Sequence, residues 1–562
     1  MGTRTGLGRV TTGLFGWRWP VVVIGLVVTS GCAEVGDADA GEDEVAIGGT
    51  AVIAGPVDLG NLNPLVAVEA TTQEFVRDAL FLPLLRMGPD MRPEPGLAES
   101  WELAGDTLVT FTLRDDVLWH DSTPTTAADV AFTFRAVKDP ETGFPDPVRF
   151  AAWDSVEVVD TRTVRFHVRP GPDPLFGWTL TAIAPVHLLA DVPPADMAQA
   201  AFNRDPVGNG PFRFVSWSAN DRVVLEANQD YPVALGGRPN VDRLVYRVIP
   251  ESTARVAELV SGGVDLAFGY PVSDLAQLSG GLSAVETDAR QVSFVAWNAR
   301  RPPLDDQRVR RALSMAIDRR EIVTLLRAGH GSVAVSTVPP SHWAFNADLR
   351  PVPFDTAGAR ALLEEAGLAD SDGDGVLELA DGEPFSIEIK FPGQDTNFRS
   401  SSEMVRSDLA AIGVDARPLG LEGGTLIGDV TSPERRFDGV MLSLEIEMRP
   451  NLRDLFHSGS MDGPLQLSGY ADPDLDAAID ALAQATDRDA ERGHWLRAQE
   501  LLARDQPWTF LYYFPNLAGV SQRLRGVEMD LRGRLVSVAD WWLEGGAAES
   551  AEVDGADADA AG

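Results

Sequence analysis

Apolar positions along the chain switch between a period of two and a period near 3.6, with Gly, Pro, Asn and Asp at the switches. Leu108–Leu113 alternates as a strand with one buried face does. Further strands are predicted at 50–54, 155–159, 163–168, 223–227, 243–249, 264–268, 294–298, 385–389, 414–418, 437–443 and 510–514. Helical periodicity covers 127–137, where Thr126 and Asp129 have capping spacing, and also 253–260, 475–485 and 490–503. Helices at 357–366 and 403–412 each stop at a glycine, Gly367 and Gly413. Strands alternating with helices predict α/β architecture with parallel or mixed sheets.

The stretch from Phe294 to Leu326 concentrates these signals. A buried strand ends on Trp297 and Asn298, Arg300–Pro303 breaks it, and Asp305 or Asp306 caps a helix. Val309, Ala312, Leu313, Ala316 and Ile317 form one apolar stripe on that helix, with Arg308, Arg310, Arg311 and Ser314 opposite. Asp318 and Glu321 then have capping-box spacing for a second short helix.

Composition narrows the classes. A chain of 562 residues is long enough for two to four domains. Its formal net charge of −37 argues against a nucleic-acid partner, which would need basic patches. Setting aside two acidic terminal segments, six acids each at 33–46 and 544–562, and the three arginines before residue 32 leaves the body at −28. A solvated surface, adaptation to salt and a lure for cations all fit that acidity. The single cysteine, Cys32, leaves no intramolecular disulfide. It follows a charged segment, an apolar run too short to span a bilayer and Thr29-Ser-Gly, which resembles a bacterial lipoprotein signal with Cys32 as the lipidated residue. No other segment is apolar enough to cross a membrane, so a body tethered by lipid at the periplasmic or cell-surface face is expected.

Four motifs carry a wider resemblance. They are Pro95-Gly-Leu-Ala-Glu-Ser-Trp101 with Trp119-His-Asp121; Pro206-Val-Gly-Asn-Gly-Pro-Phe-Arg-Phe214 running to Tyr231; Asn298 and Asp305 with Val309-Arg-Arg-Ala-Leu313; and Gly469-Tyr-Ala-Asp-Pro-Asp474 with Gln499-Glu-Leu-Leu502. In this order, from about residue 50 to 540, the chain resembles the family 5 extracellular solute-binding proteins of ABC importers, the peptide- and nickel-type receptors. The resemblance implies a class II periplasmic-binding-protein fold, two closing lobes with mixed sheets plus an inserted third domain. Its expected division is a lipoprotein signal at 1–32, a disordered acidic tether at 33–46, lobe I from 47–75 with 205–290 and 510–543, an inserted domain at 76–204, lobe II at 291–509 and a disordered acidic tail at 544–562. It also implies a monomer that captures a peptide or similar small solute and docks on an ABC permease with its ATPase subunits. A non-peptide solute, such as an oligosaccharide, an opine-like or an anionic compound, and a sensor or adaptor on the same fold are the competing readings.

Candidate ligand-binding residues follow from strand ends and loops. Trp297 and Asn298 offer an apolar face and an amide to a peptide backbone; a core tryptophan and a turn-capping amide are the alternative. Phe391 and Asn397 flank a strand-to-helix junction, and Trp343, Tyr270, Phe345 and Phe268 are further aromatics at strand or loop ends. Relatives anchor a ligand ammonium with an acid before a proline in the loop after strand 437–443. Here that pair is Arg449-Pro450, with Glu445 and Glu447 nearby. A carboxylate suits a buried ammonium, whereas Arg449 favours an anion. Asp370, Asp372, Asp374, Val376, Glu378 and Asp381 have the spacing of a calcium loop, with a structural role. The histidines show no metal-ligand spacing, although His330 and His342 are far enough apart in sequence to converge in space. No catalytic motif is present, so an enzyme is not expected and no cofactor is required.

Overall fold

The computed structural model describes residues 45–545, apart from 106, 170–174, 270–281, 287–290, 447, 450, 486 and 516. The first large sheet has seven strands in the order Leu282–Glu286, Leu517–Ser521, Leu266–Phe268, Thr50–Gly55, Arg243–Val248, Arg222–Ala227 and Phe212–Ser218. Thr50–Gly55 is central and parallel to both its neighbours, while the outer pairings are antiparallel. It is covered on both faces, as a central strand should be: Ala51, Ile53 and Ala54 are all fully buried.

Between the first strand of this sheet and its return at Phe212 lies a four-stranded antiparallel sheet, ordered Ala98–Ala104, Leu108–Leu113, Thr163–Val168 and Trp153–Val158. Val109, Phe111 and Leu113 are buried and their neighbours are not, so the predicted period of two has its physical cause here. The covered face meets the helix Ala127–Lys138, which starts at the expected Thr126–Asp129 capping box. Aromatic rings fill the contact; Trp153 meets Phe166 edge-on at 5.0 Å, and Phe150 meets Trp178 edge-on at 4.9 Å.

The second large sheet has six strands, in the order Ser332–Val333, Trp508–Phe514, Gln291–Trp297, Gly439–Glu445, Ser386–Pro392 and Asp415–Leu421. Here the expected domain boundary needs correction. A break at residue 510 would cut the strand Trp508–Phe514, which lies wholly in the second sheet, hydrogen-bonded to Gln291–Trp297. The chain returns to the first sheet only between Phe514 and Leu517. The outward crossing falls between Glu286 and Gln291. Glu286 pairs with Leu517 and Gln291 with Phe514, so the chain leaves the first sheet and returns to it between residues paired on both sides.

Smaller expectations also shift. The helix expected at 403–412 runs from Thr396 to Ala410, because Asp395 accepts from the amides of Asn397 (2.7 Å) and Phe398 (3.3 Å) and starts it earlier. Glu544, placed in the acidic tail, ion-pairs with Arg525 at 2.6 Å. Asp306 rather than Asp305 caps the helix Gln307–Ala316. The side of that helix assigned to polar residues is partly buried as well. Arg310 donates to the carbonyls of Leu304 (2.8 Å) and Asp505 (3.2 Å), and Ser314 bonds Thr509 at 2.5 Å.

Candidate functional site

Three connected hollows run between the first sheet with its inserted domain and the second sheet. The largest, ≈ 600 Å³, has Val148 and Phe176 of the inserted domain facing Leu444, Ile446, Leu452, Leu465 and Trp495. Val148 is 78% and Leu465 49% exposed, so this wall presents apolar side chains that folding leaves uncovered. Phe176, Arg449, Glu491 and Trp495 are shared with the next hollow, ≈ 240 Å³, which adds Trp343, His342, Arg488 and Met91. Met87 and Met448 then open into a polar cavity of ≈ 330 Å³ bounded by Arg77, Arg86, Tyr231, Glu528 and Asp540.

The loop expected to decide the ligand reaches this cleft. Glu445, exposed at the end of Gly439–Glu445, lines the largest hollow. Arg449 borders two hollows, but its guanidinium pairs with Glu491 at 2.9 Å, and Trp495 Nε1 donates to the same carboxylate at 3.4 Å. That pairing offsets the charge that argued for an anionic ligand. Glu447, Tyr270 and Cys32 lie outside the described residues.

Trp343 is half-buried in the middle hollow, with the Arg488 guanidinium 4.4 Å above its ring. Arg488 comes from the first turn of the helix Arg488–Asp505 and reaches across the cleft, donating to the carbonyls of Asp90 and Met91 (3.5 Å to the latter). Next to Trp343, His342 is buried and fixed at both ring nitrogens. Nε2–H donates to the Met448 carbonyl at 2.8 Å, and Nδ1 accepts from the Ala344 amide at 3.1 Å. Burial pushes its pKa down to about 4. A neutral His342 therefore pins the loop at Met448, and neither nitrogen is left for a metal shared with His330.

Three expected binding residues belong elsewhere. Trp297 is fully buried; its Nε1 donates to Thr509 Oγ1 at 2.8 Å. Its ring takes the room left by Gly439, the residue paired with it in the neighbouring strand, where an added Cβ would approach the indole to 2.9 Å. Asn298 is buried as well and fastens a turn, donating to the carbonyls of Arg435 (3.0 Å) and Phe437 (2.9 Å) while accepting from the Arg300 amide. Phe391 is 3% exposed and packs with Val405 and Leu409 in the core below the second sheet. None of the three reaches the cleft. Asn397 is exposed in the first turn of its helix, outside the hollows. Phe268 is buried, with Arg534 4.5 Å over its ring.

The acidic loop does bring carboxylates together. Asp370, Asp372, Asp374 and Glu378 each place an oxygen within 4.8 Å of the others. Asp381 stands outside this group and closes its own turn by accepting from the Glu383 amide. Asp370 accepts from the amides of Gly373 and Gly375, and Glu378 from that of Ser371, so backbone N–H groups now face these oxygens.

Phe176, Arg488, Trp495, Met448 and Tyr231 line the cleft without having been singled out from sequence. Trp495 falls on an ordinary amphipathic helix, and Phe176 and Met448 lie in segments without periodicity. Tyr231 closes a family-like motif, which was the one available signal.

Comparison with known proteins accords with this architecture. The family described as bacterial extracellular solute-binding proteins, family 5 Middle, matches residues 92–441. The chain is 29% identical to the oligopeptide-binding protein AppA of Bacillus subtilis over 476 residues, 83% of this chain and 87% of that protein. It is 28% identical to heme-binding protein A of Haemophilus influenzae over 462 residues, 77% of this chain and 81% of that one. The structure of Bacillus subtilis AppA in complex with a nonapeptide superposes with a TM-score of 0.69 at 28% identity, covering 89% of this chain and 100% of that chain. The ABC transporter substrate-binding protein CtaP of Listeria monocytogenes shares the fold, with a TM-score of 0.77 at 22% identity over 88% of this chain and 99% of that one. On the strength of the family match over more than half its length, the chain belongs to the bacterial extracellular solute-binding proteins of family 5.

Proposed function

We propose that this protein captures a peptide or similar small solute in the cleft and hands it, as a monomer, to the permease of an ABC importer. The observation that carries the reading is the run of three connected hollows, with apolar walls at one end and charged groups at the other, between two bodies joined by two neighbouring crossings. Ligand touching both walls stabilises the closed arrangement, because only there does it meet both. Solute capture of this kind needs no bond to be made or broken. The likeness to an oligopeptide-binding protein and to a structure holding a nonapeptide favours peptide. The Arg449–Glu491 pair weakens the case for an anionic solute.

Lipid at Cys32 would hold the protein at the membrane face. Among the described residues, no helix is long and apolar enough to cross a bilayer. Native mass spectrometry of the purified chain tests the reading; co-purifying peptides are expected, and recovery of sugars or anionic compounds alone would overturn it. A structural calcium ion at Asp370, Asp372, Asp374 and Glu378 is a further proposal. Calcium should then raise the melting temperature of the wild type and leave Asp372→Ala unmoved; equal shifts would remove the ion from the account.

A further inference from the structure

The polar cavity at the inner end of the cleft carries an inference that rests on this reading and sharpens it. Its guanidinium groups are unequally engaged. Arg77 pairs with Asp78 through two hydrogen bonds, 2.8 and 2.6 Å, and Arg532 grips Asp530 in the same way at 3.1 and 2.6 Å. These pairs neutralise themselves. Of the remaining charged lining, Arg86 donates to the Pro95 carbonyl at 3.2 Å and forms no ion pair among the described residues. Glu94, Glu528 and Asp540 likewise form no ion pair among the described residues, so three carboxylates face one guanidinium.

Tyr231 supplies the independent observation. It is only 6% exposed, its ring forms part of the cavity wall, and its hydroxyl has no hydrogen-bond partner among the described residues. On a side chain this far buried, that hydroxyl opens on the cavity and can donate to or accept from a group that enters it. Burial raises its pKa to about 12, so it stays a neutral donor and acceptor. Asp540 is held above the usual carboxylate range by partial burial, with Arg86 opposing the rise and its neighbour Glu528 adding to it. Phe81, Leu82, Leu235 and Met448 share the walls with these charges, and Met448 comes from the ligand-facing loop of the second sheet.

From the excess of carboxylates, the unpartnered Tyr231 hydroxyl and the apolar walls, we infer that this cavity receives a cation carried on an apolar stem, an ammonium or guanidinium group at the end of an alkyl chain. A lysine or arginine side chain of a bound peptide and a free alkyl diamine share that chemistry. The stem would lie along Phe81, Leu82 and Met448, and the charge would meet Asp540, Glu528 and the Tyr231 oxygen. Because Met448 belongs to the opposite body, filling the cavity favours closure. The acidity of the molecule as a whole would raise the local concentration of such a ligand.

The test uses the full chain, a randomised peptide library of mixed lengths and 1,5-diaminopentane. Wild-type protein should retain peptides enriched in Lys and Arg over Asp and Glu by roughly tenfold. In Glu528→Gln/Asp540→Asn the enrichment should fall to near parity, read as the ratio of cationic to acidic peptides within whatever the variant retains. Tyr231→Phe, which changes no charge, should lower the enrichment a few-fold, and it serves as the deciding variant if the double substitution does not fold. Retained peptides with no cationic bias, or a bias that both variants keep, would overturn the inference and leave peptide capture standing. If no peptide of any length is retained, the peptide reading fails. Diaminopentane then decides the cavity: a thermal shift seen in the wild type and lost in the variants supports a free diamine, and no shift in the wild type refutes the site.

Discussion

Trp297 occupies a position where neighbouring backbone has been cleared for it. Gly439 provides the room, and Thr509 accepts from the indole while bonding Ser314 in turn. Trp297→Ala should therefore cost about 3–5 kcal/mol, the usual penalty for emptying an aromatic site in a core. Urea unfolding at fixed pH measures this, and solute affinity of the folded fraction should be unchanged. A loss of affinity without loss of stability would return Trp297 to the binding wall. A strand that ends on Trp-Asn looks the same in sequence whether its last side chains face ligand or core. The face is set by the partner strands, and a lone glycine 142 residues away is what decides it here. His342 yields a prediction with a definite sign. It is neutral when folded, with a pKa near 4 against an ordinary 6.5. The unfolded chain thus binds more protons between those values, and stability present above pH 6.5 is lost as pH falls toward 4. The loss amounts to roughly 3 kcal/mol for this group. A plot of melting temperature against pH should flatten over that window in His342→Gln, and an unchanged slope would contradict the assignment.

Helix ends were more legible than helix faces, because a cap is a local affair. Asp306 and Asp318 accept from amides two or three residues on, and Asp129 accepts from the Thr126 amide, as their spacing in the sequence suggests. The first turns of the helix Thr396–Ala410, Asn397 to Ser402, show no apolar period, yet Ser401 and Ser402 are buried. Helix Arg488–Asp505 shows what remains hidden: the cap at Asp487 starts it two residues before the expected 490, and nothing in the sequence says that its first residue spans the cleft. Arg488 there stacks on Trp343 and bonds carbonyls of the facing turn, so it acts as a strap between bodies. Removing it should lower the closed population of the ligand-free protein. Arg488→Ala is expected to increase the radius of gyration in small-angle scattering and to weaken binding of the co-purified solute roughly three- to tenfold, since apparent affinity scales with the competent fraction. An unaltered scattering profile would leave the strap without a conformational role.

The arrangement of the whole molecule depends on pairings the sequence could not disclose. The central strand Thr50–Gly55 lies between Arg243–Val248 and Leu266–Phe268, partners about two hundred residues downstream, and the aromatic run Trp508–Phe514 joins the second sheet while its continuation joins the first. Four motifs conveyed the family and hence two lobes, but the boundary at 510 failed because a strand of uniformly buried residues carries no mark of which sheet it enters. Placing the return crossing beside the outward one has a mechanical consequence. Two crossings that flank one another favour rotation of the bodies about that place, so the hollows should open and shut together. The absence of any cysteine besides Cys32 makes this testable with little background. In a Cys32→Ala chain, Met91→Cys and Arg488→Cys place thiols on the two sides of the middle hollow, where Arg488 now meets the Met91 carbonyl. A short bifunctional maleimide should join them faster when solute is bound. Joined with solute inside, the protein should release it far more slowly; joined empty, it should fail to admit it at either end of the cleft. Normal exchange through the apolar hollow in the joined protein would mean that the hollows move independently. Closure would then be a property of loops rather than of two bodies turning about neighbouring crossings.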